Sequence, residues 1–263
     1  MTMLDLQEKA LLGLFLALPA LILGAYAVRV ATAGRALDAR VQRESSTVLL
    51  GRFPIEAFHW ALRGVGRKVS RTGVSPDTLT LISLLISAAS LPLAAIGRLP
   101  AAGACLLFGS AFDALDGIVA RERGLSSDAG EVLDAVVDRY ADAAPLLGLA
   151  IFYRASLPAL LVVLFALLGS LLVSYVRAKS EAMSLSLPGG LMRRHERIAY
   201  LTAGLLLGPV LPSAQIASLP LAMPLSLLAV TVVALVSNLA AVQLTRAARA
   251  ALVELGRGPR GRA

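Results

Sequence analysis

Six aspartates fall within residues 112–142, FDALDGIVARERGLSSDAGEVLDAVVDRYAD: Asp113, Asp116, Asp128, Asp134, Asp138 and Asp142. Asp113 and Asp116 are three residues apart and share one helix face. Asp134 and Asp138 are four apart and share a face of the next helix. A short polar link joins the two stretches, and helices joined by short links are antiparallel neighbours. Four carboxylates therefore converge at one mouth. In a low-dielectric site they cannot all stay ionised without a counter-charge. A divalent cation supplies one, and oxygen-only ligands select hard cations, so Mg²⁺ is expected, with Mn²⁺ as the alternative. A metal held by carboxylates is in turn a seat for phosphate, and two metals can hold a diphosphate. Gly117, Ala120 and Gly130 lack bulk and leave room for a ligand to approach the backbone. Arg121 can pair with phosphate bidentately.

The chain that must position this mouth is strongly apolar. Of its 263 residues 57% are hydrophobic and only 16% charged, and its mean hydropathy is +0.76. Soluble domains carry roughly 25% charged residues, so the fold class expected is all-α, a polytopic membrane helical bundle. Seven candidate spans stand at about 10–28, 76–97, 101–121, 132–153, 156–178, 196–212 and 219–244. The first is read as a retained helix rather than a signal peptide, because Asp5, Glu8 and Lys9 precede it where a basic flank belongs. Ser75, Pro76 and Asp77 form a helix start: a cap, a residue suited to the first turn and a charge that complements the dipole. With the N-terminus outside, the inner side receives nine Lys and Arg in 29–75, three in 121–139, five in 177–197 and five in 246–262, which is 22 of the 25. By the positive-inside rule the aspartates then lie at the cytoplasmic end of two adjacent helices, in a cell (inner) membrane.

Residues 54–69 read differently. Ile55, Phe58, Leu62, Val65 and Val69 recur at helical spacing, with Glu56, His59, Arg63, Arg67 and Lys68 beside them. The pattern predicts an amphipathic helix in the membrane interface, with Trp60 at headgroup depth. Residues 1–53 then hold an extra N-terminal span and a cytoplasmic linker. Residues 54–245 form the main domain, and 246–263 a basic cytoplasmic tail whose Gly/Arg end, from 256, is expected to be disordered. The formal charge of +8 points to the membrane surface, since the basic residues cluster at span ends. Nucleic acid is not expected, because no aromatic residues interleave with the basic ones. The lone Cys105 sits in an apolar run and receives no function.

The whole pattern, D-x2-D-G-x2-A-R-x8-G-x3-D-x3-D, has every fixed position filled between Asp113 and Asp138. Here the chain resembles the CDP-alcohol phosphatidyltransferases, from about residue 54 to 245. The resemblance implies an interfacial helix followed by six spans; the span at 10–28 lies outside it. It implies that Asp113, Asp116, Asp134 and Asp138 bind metal and that Asp138 is also the general base. It implies that Gly117, Ala120 and Arg121 line a cytidine nucleotide, with Gly130, Ser127 and Thr78 nearby. Asp77 stands where many members have Asn, so that part of the match is imperfect. Asp128 reads as a solvated loop residue and Asp142 as a neighbour of the metal ligands. The reaction implied is transfer of a phosphatidyl group from CDP-diacylglycerol to an alcohol hydroxyl, with release of CMP. No Ser, Cys or His pairing points to a covalent intermediate.

A second basic cluster, Arg177, Lys179, Arg193, Arg194 and Arg197, falls at the same level. Positive-inside anchoring accounts for it without any ligand. Alternatively, Arg177, Arg194 and Arg197 hold the phosphate of an acceptor while Glu196 positions an arginine. This region resembles that of the phosphatidylinositol-phosphate synthases, which implies inositol 1-phosphate. Glycerol 3-phosphate or another polar alcohol remains the alternative. Two rival classes fit less well. A prenyltransferase normally places its two aspartate motifs on distant helices. An aspartate-based cation transporter predicts carboxylates near mid-span on several helices. The family resemblance also implies a homodimer among membrane lipids, for which Gly169 and Ser170 are the small residues available as packing points.

Overall fold

The computed structural model describes residues 6–35, 51–187, 190–211, 214–216, 219–221 and 223–257. Most of the linker and the end of the tail lie outside the described residues. The described chain is helical apart from one short hairpin. Helix α1 spans Leu6–Ala33 and α2 spans Arg52–Ser70. Then follow α3 (Pro76–Ala88), α4 (Ser90–Ala95), α5 (Leu99–Glu122) and α6 (Asp128–Phe152). Next come α7 (Leu157–Ala182), α8 (Arg194–Leu207), the paired strands β1 (Ala214–Ile216) and β2 (Leu219–Leu221), and α9 (Pro224–Glu254).

The start of α3 forms as its sequence dictates. Ser75 caps it by accepting the Thr78 backbone N–H at 3.2 Å, with Pro76 and Asp77 in the first turn. The helix breaks at Ala89, before α4, because Pro92 has no N–H to give the carbonyl four residues back. The expected span at 219–244 is displaced. Residues 219–221 pair with 214–216, and α9 begins only at Pro224, a residue suited to a first helical turn. The same helix runs on to Glu254, so residues 246–254 continue it instead of opening a tail. Asp128 likewise begins α6 and is not a loop residue, since Ser127 caps that helix through the Gly130 N–H at 3.1 Å.

Among the described residues four stretches are long and apolar enough to cross a bilayer: 76–95, 99–122, 157–182 and 224–254. Spanning takes about 20 predominantly apolar residues. Helix α6 carries charge through its first half, α8 has only 14 residues and opens on Arg194, Glu196 and Arg197, and the apolar part of α1 is the shorter 17–33.

Helix α5 lies between α3 and α8, α6 packs on α3 and α4, and α7 runs along α9. The shared core includes Leu99, Leu106, Leu146, Leu149, Val163, Leu201, Leu205 and Val233. Small residues let the helices approach where lipid gives no hydrophobic drive between them. A Cβ at Gly148 would collide with the Leu91 carbonyl oxygen and lie 2.8 Å from Ala94 Cβ. Gly169 is used within the chain: a Cβ there would stand 2.6 Å from Asn238 Nδ2, and Ser170 is buried. Gly169 therefore packs α7 on α9, and Ser170 is buried within the chain, so neither stands free on the surface as a packing point for a second copy.

At the N-terminal side α1 docks on α2. Tyr26 is fully buried, donates to Glu56 Oε2 at 3.0 Å, and has its ring 5.2 Å from Phe53 and 5.7 Å from Trp60. Glu56, expected on a polar face, is thus buried, while Val65, expected on the apolar face, is 46% exposed. The inward turn of Glu56 follows from its hydroxyl partner, since a buried carboxylate needs a donor.

Candidate active site

The ends of α3, α5, α6 and α8 meet at one place. Arg123 donates to the Val74 carbonyl at 2.8 Å, tying the end of α5 to the start of α3. Asp113, Asp116 and Asp134 each bring a carboxylate oxygen to within 4.8 Å of the others. Asp116 is buried and receives the Thr80 hydroxyl at 2.6 Å. Sequence reasoning missed Thr80, which is one of several hydroxyls on that span with Thr78, Ser83 and Ser87 and carries no local mark that it faces the carboxylate helix. Asp113 Oδ1 is buried and accepts no hydrogen bond. Three clustered oxygen ligands with one oxygen left unpaired fit a hard divalent cation and offer nothing to a soft one.

Asp138 stands beside this group, on a different partner. Its Oδ1 lies 2.7 Å from Arg194 Nη2, and Oδ2 lies 3.7 Å from Arg139. Arg194 also places Nη1 2.6 Å from Asp113 Oδ2 and Nε 3.2 Å from Asp142 Oδ1. One guanidinium thus spans three carboxylates, using the fork of donors that suits arginine to this task. Asp142, one turn beyond Asp138, is buried and binds Arg197 Nη2 at 2.8 Å. Arg197 is 2% exposed and also donates to Ser174 Oγ and the Met192 carbonyl. A buried charge pair of this kind depends on partners for its remaining donors; both Nη groups of Arg197 have them, while its Nε is buried without one. Glu196 accepts the Arg193 backbone N–H at 2.8 Å and so caps α8, which points the two arginines at the aspartates.

Arg177, Arg194 and Arg197 line one cavity of about 650 Å³, together with Ser174 and Arg139. The three arginines singled out by sequence are therefore brought together, and Arg194 joins their cavity to the carboxylates. Asp128 and Glu131 stand at the same cavity. Gly117, Ala120 and Arg121 occupy the last turns of α5. Ser127 and Gly130 bond to each other at the start of α6, and Thr78 lies in the first turn of α3, its hydroxyl 2.7 Å from Ser75 Oγ. These six gather around the α3, α5 and α6 ends, where a Cβ on Gly130 would come 3.9 Å from Asp77 Oδ1.

The sequence pattern of the CDP-alcohol phosphatidyltransferase family matches residues 73–242. The chain belongs to that family. It is 38% identical over 145 residues to the phosphatidylinositol phosphate synthase of Mycobacterium tuberculosis, a match that spans 53% of this chain and 66% of the relative, just under two thirds of its length. A crystal structure of a Mycobacterium tuberculosis phosphatidylinositol phosphate synthase with CDP-DAG bound superposes with a TM-score of 0.62 at 30% identity, covering 71% of this chain and 92% of that one. A second structure of that synthase, in complex with manganese and citrate, gives a TM-score of 0.61, again at 30% identity, over 71% of this chain and 88% of the other. Family and apolar helices together fit an integral membrane protein. The α1–α2 region precedes the matched residues.

Proposed function

We propose that the protein transfers a phosphatidyl group from CDP-diacylglycerol to a hydroxyl of inositol 1-phosphate, releasing CMP. The observation that carries this reading is Arg194, which lines the arginine cavity and touches Asp113 and Asp138 at the same time. An acceptor phosphate held by Arg177, Arg194 and Arg197 would sit next to the carboxylates that handle the reacting groups. Similarity to a synthase of that name, and to its structure with CDP-DAG bound, supports both substrates.

In this proposal Asp113, Asp116 and Asp134 hold a divalent cation, Mg²⁺ or Mn²⁺, with Asp138 at its edge. When bound, the cation would neutralise the diphosphate and the departing CMP. Thr80 fixes the Asp116 carboxylate. Asp138 takes the proton of the acceptor hydroxyl, whose oxygen attacks the phosphorus that bears the lipid. Gly117, Ala120, Arg121, Ser127, Gly130 and Thr78 line the nucleotide. Arg197, fastened by Asp142, sets the wall of the acceptor cavity. The proposal extends to topology. The segment 76–95 with α5, α6, α7, α8 and α9 makes six spans after an interfacial α2. Residues 54–245 form the transferase domain, the site faces the cytoplasm of the cell membrane, and two copies associate.

The test is CMP release from CDP-diacylglycerol by purified protein with Mg²⁺, across inositol 1-phosphate, glycerol 3-phosphate, inositol, glycerol and serine. Release dependent on inositol 1-phosphate is the expected result. Release with glycerol 3-phosphate alone would keep the reaction and overturn the acceptor. No release with any of them would overturn the transferase reading.

A further inference from the structure

The cavity of about 650 Å³ holds more than arginines. Along α6 its wall carries Arg139, Ala135 and Glu131, one turn apart, with Asp128 beyond them. Along α7 it carries Arg177, Ala178 and Glu181. A short link makes the two helices antiparallel. Arg197 fixes their register by joining Asp142 of α6 to Ser174 of α7. Moving away from that joint, α6 runs back from Arg139 to Glu131 while α7 runs on from Arg177 to Glu181. Both walls therefore read the same way in space: arginine, then alanine, then carboxylate. A second cavity, of about 620 Å³ at the α1–α2 joint, shows no such order. Arg29, Arg63 and Arg67 stand there with Glu122, whose carboxylate already accepts the Ser70 hydroxyl at 3.1 Å.

Neither end of the ordered cavity is used up by the chain itself. At the arginine end, Arg197 is 2% exposed and keeps a buried Nε without a partner, and Arg177 keeps a buried Nη2 without one. At the other end the Glu131 and Glu181 carboxylates are exposed and make no hydrogen bond or ion pair among the described residues, although Glu181 follows Arg177 by one turn. Such a wall suits a ligand with an anion at one end, an uncharged body, and hydrogen-bond donors at the other. The ionised carboxylates accept and cannot donate, so what they bind must donate. Four helical residues from Arg177 to Glu181 give a rise of about 6 Å. A hydroxylated six-membered ring, built from bonds of about 1.5 Å, spans roughly 6 Å from oxygen to oxygen. Ala135 and Ala178 leave the width between the ends open. An inositol ring offers several hydroxyls to the far end, whereas glycerol 3-phosphate offers a single one once the reacting hydroxyl is set aside. We propose that Glu131 and Glu181 determine acceptor specificity, by accepting hydrogen bonds from the ring hydroxyls of an inositol 1-phosphate whose phosphate the arginines hold. This rests on the acceptor reading given above and adds to it the residues that recognise the polyol.

The test compares two phosphate monoesters, inositol 1-phosphate and methyl phosphate, which carries no hydroxyl on its organic group. Their dissociation constants are measured by calorimetry on the full-length protein with Mg²⁺. The unaltered protein is expected to bind inositol 1-phosphate about 10-fold more tightly or better, the worth of a hydrogen bond to a charged group. The double variant Glu131→Ala with Glu181→Ala is expected to lose most of that preference while its affinity for methyl phosphate holds. The double variant Glu131→Gln with Glu181→Gln keeps a carbonyl acceptor at each position and is expected to recover part of it. Equal affinity of the unaltered protein for the two esters would overturn the proposal, and so would a preference that survives both alanines. Parallel losses for both esters would assign the glutamates to the shape of the cavity and overturn it as well. A loss as full with glutamine as with alanine would assign their effect to charge and overturn the hydroxyl reading. CMP release is scored apart from these constants. No release with the preference intact would sink the transferase reading alone, and release without the preference would sink this one alone.

Discussion

The two arginine-lined cavities are nearly the same size and differ in how their charge is spent. At the first, Arg194 alone serves Asp113, Asp138 and Asp142, and Arg197 is fastened to Asp142. Arg194 and Arg197 are matched by carboxylates, so an incoming phosphate must compete with aspartates for them and an incoming metal with guanidinium, whereas Arg177 keeps a buried Nη2 with no hydrogen-bond partner. At the second, three arginines share a lining with one glutamate. The first arrangement suits exchange of ligands during turnover. A low-dielectric setting amplifies both, because charges there interact more strongly than in water.

The largest test of this contrast is metal removal. Chelation is expected to abolish CMP release, and Mg²⁺ or Mn²⁺ to restore it. Turnover that survives chelation would strip Asp113, Asp116 and Asp134 of their metal role. Asp138→Asn should follow, lowering CMP release by roughly 10²–10⁴-fold, the usual worth of a positioned base, while CDP-lipid binding stays largely intact. Unchanged turnover would remove Asp138 as the base. Next is Asp142→Asn. It leaves the Arg197 guanidinium buried beside a neutral amide, and a cost of about 3–5 kcal/mol in stability is expected, read as a lower melting temperature. An unchanged melting temperature would mean that the buried pair is not what holds α8. Arg194→Ala should raise the KM for a phosphorylated acceptor by about 10-fold or more and the KM for CDP-diacylglycerol far less, as loss of a charged hydrogen bond predicts. Equal rises in both would break the division of labour between cavity and carboxylates. The smallest effect is expected at the other joint. Tyr26→Phe leaves Glu56 without its hydroxyl donor and should cost about 1–3 kcal/mol, visible in thermal unfolding with CMP release retained.

What was legible in the sequence was what helix arithmetic determines. Asp113 and Asp116 on one helix and Asp134 and Asp138 on its neighbour meet because spacings of three and four share a face. Ser75 and Pro76 mark a helix start for similarly local reasons. What was not legible depended on partners distant in the chain. Asp142 binds Arg197, 55 residues further on, and nothing near either residue indicates the pairing. Glu56 turns inward because Tyr26, 30 residues earlier, meets it with a hydroxyl; by local pattern alone it belongs on a wet face. Thr80 reaches Asp116 across 36 residues. The hairpin before α9 is a different case. Pro220 and Pro224 argued against a helix from 219, and the apolar run masked their signal.

The seam between α7 and α9 has a consequence in time. Asn238 donates to the Phe165 carbonyl at 2.9 Å, over the notch that Gly169 leaves, and these two residues are 73 apart in the chain. A ribosome adding about 5–20 residues per second makes them roughly 4–15 s apart. For most of that interval α7 is complete while its notch stands empty, and the amide destined for it does not yet exist. This seam is thus closed by α9, which is made after α7, and a truncation before residue 238 leaves the Gly169 notch without the Asn238 amide that fills it.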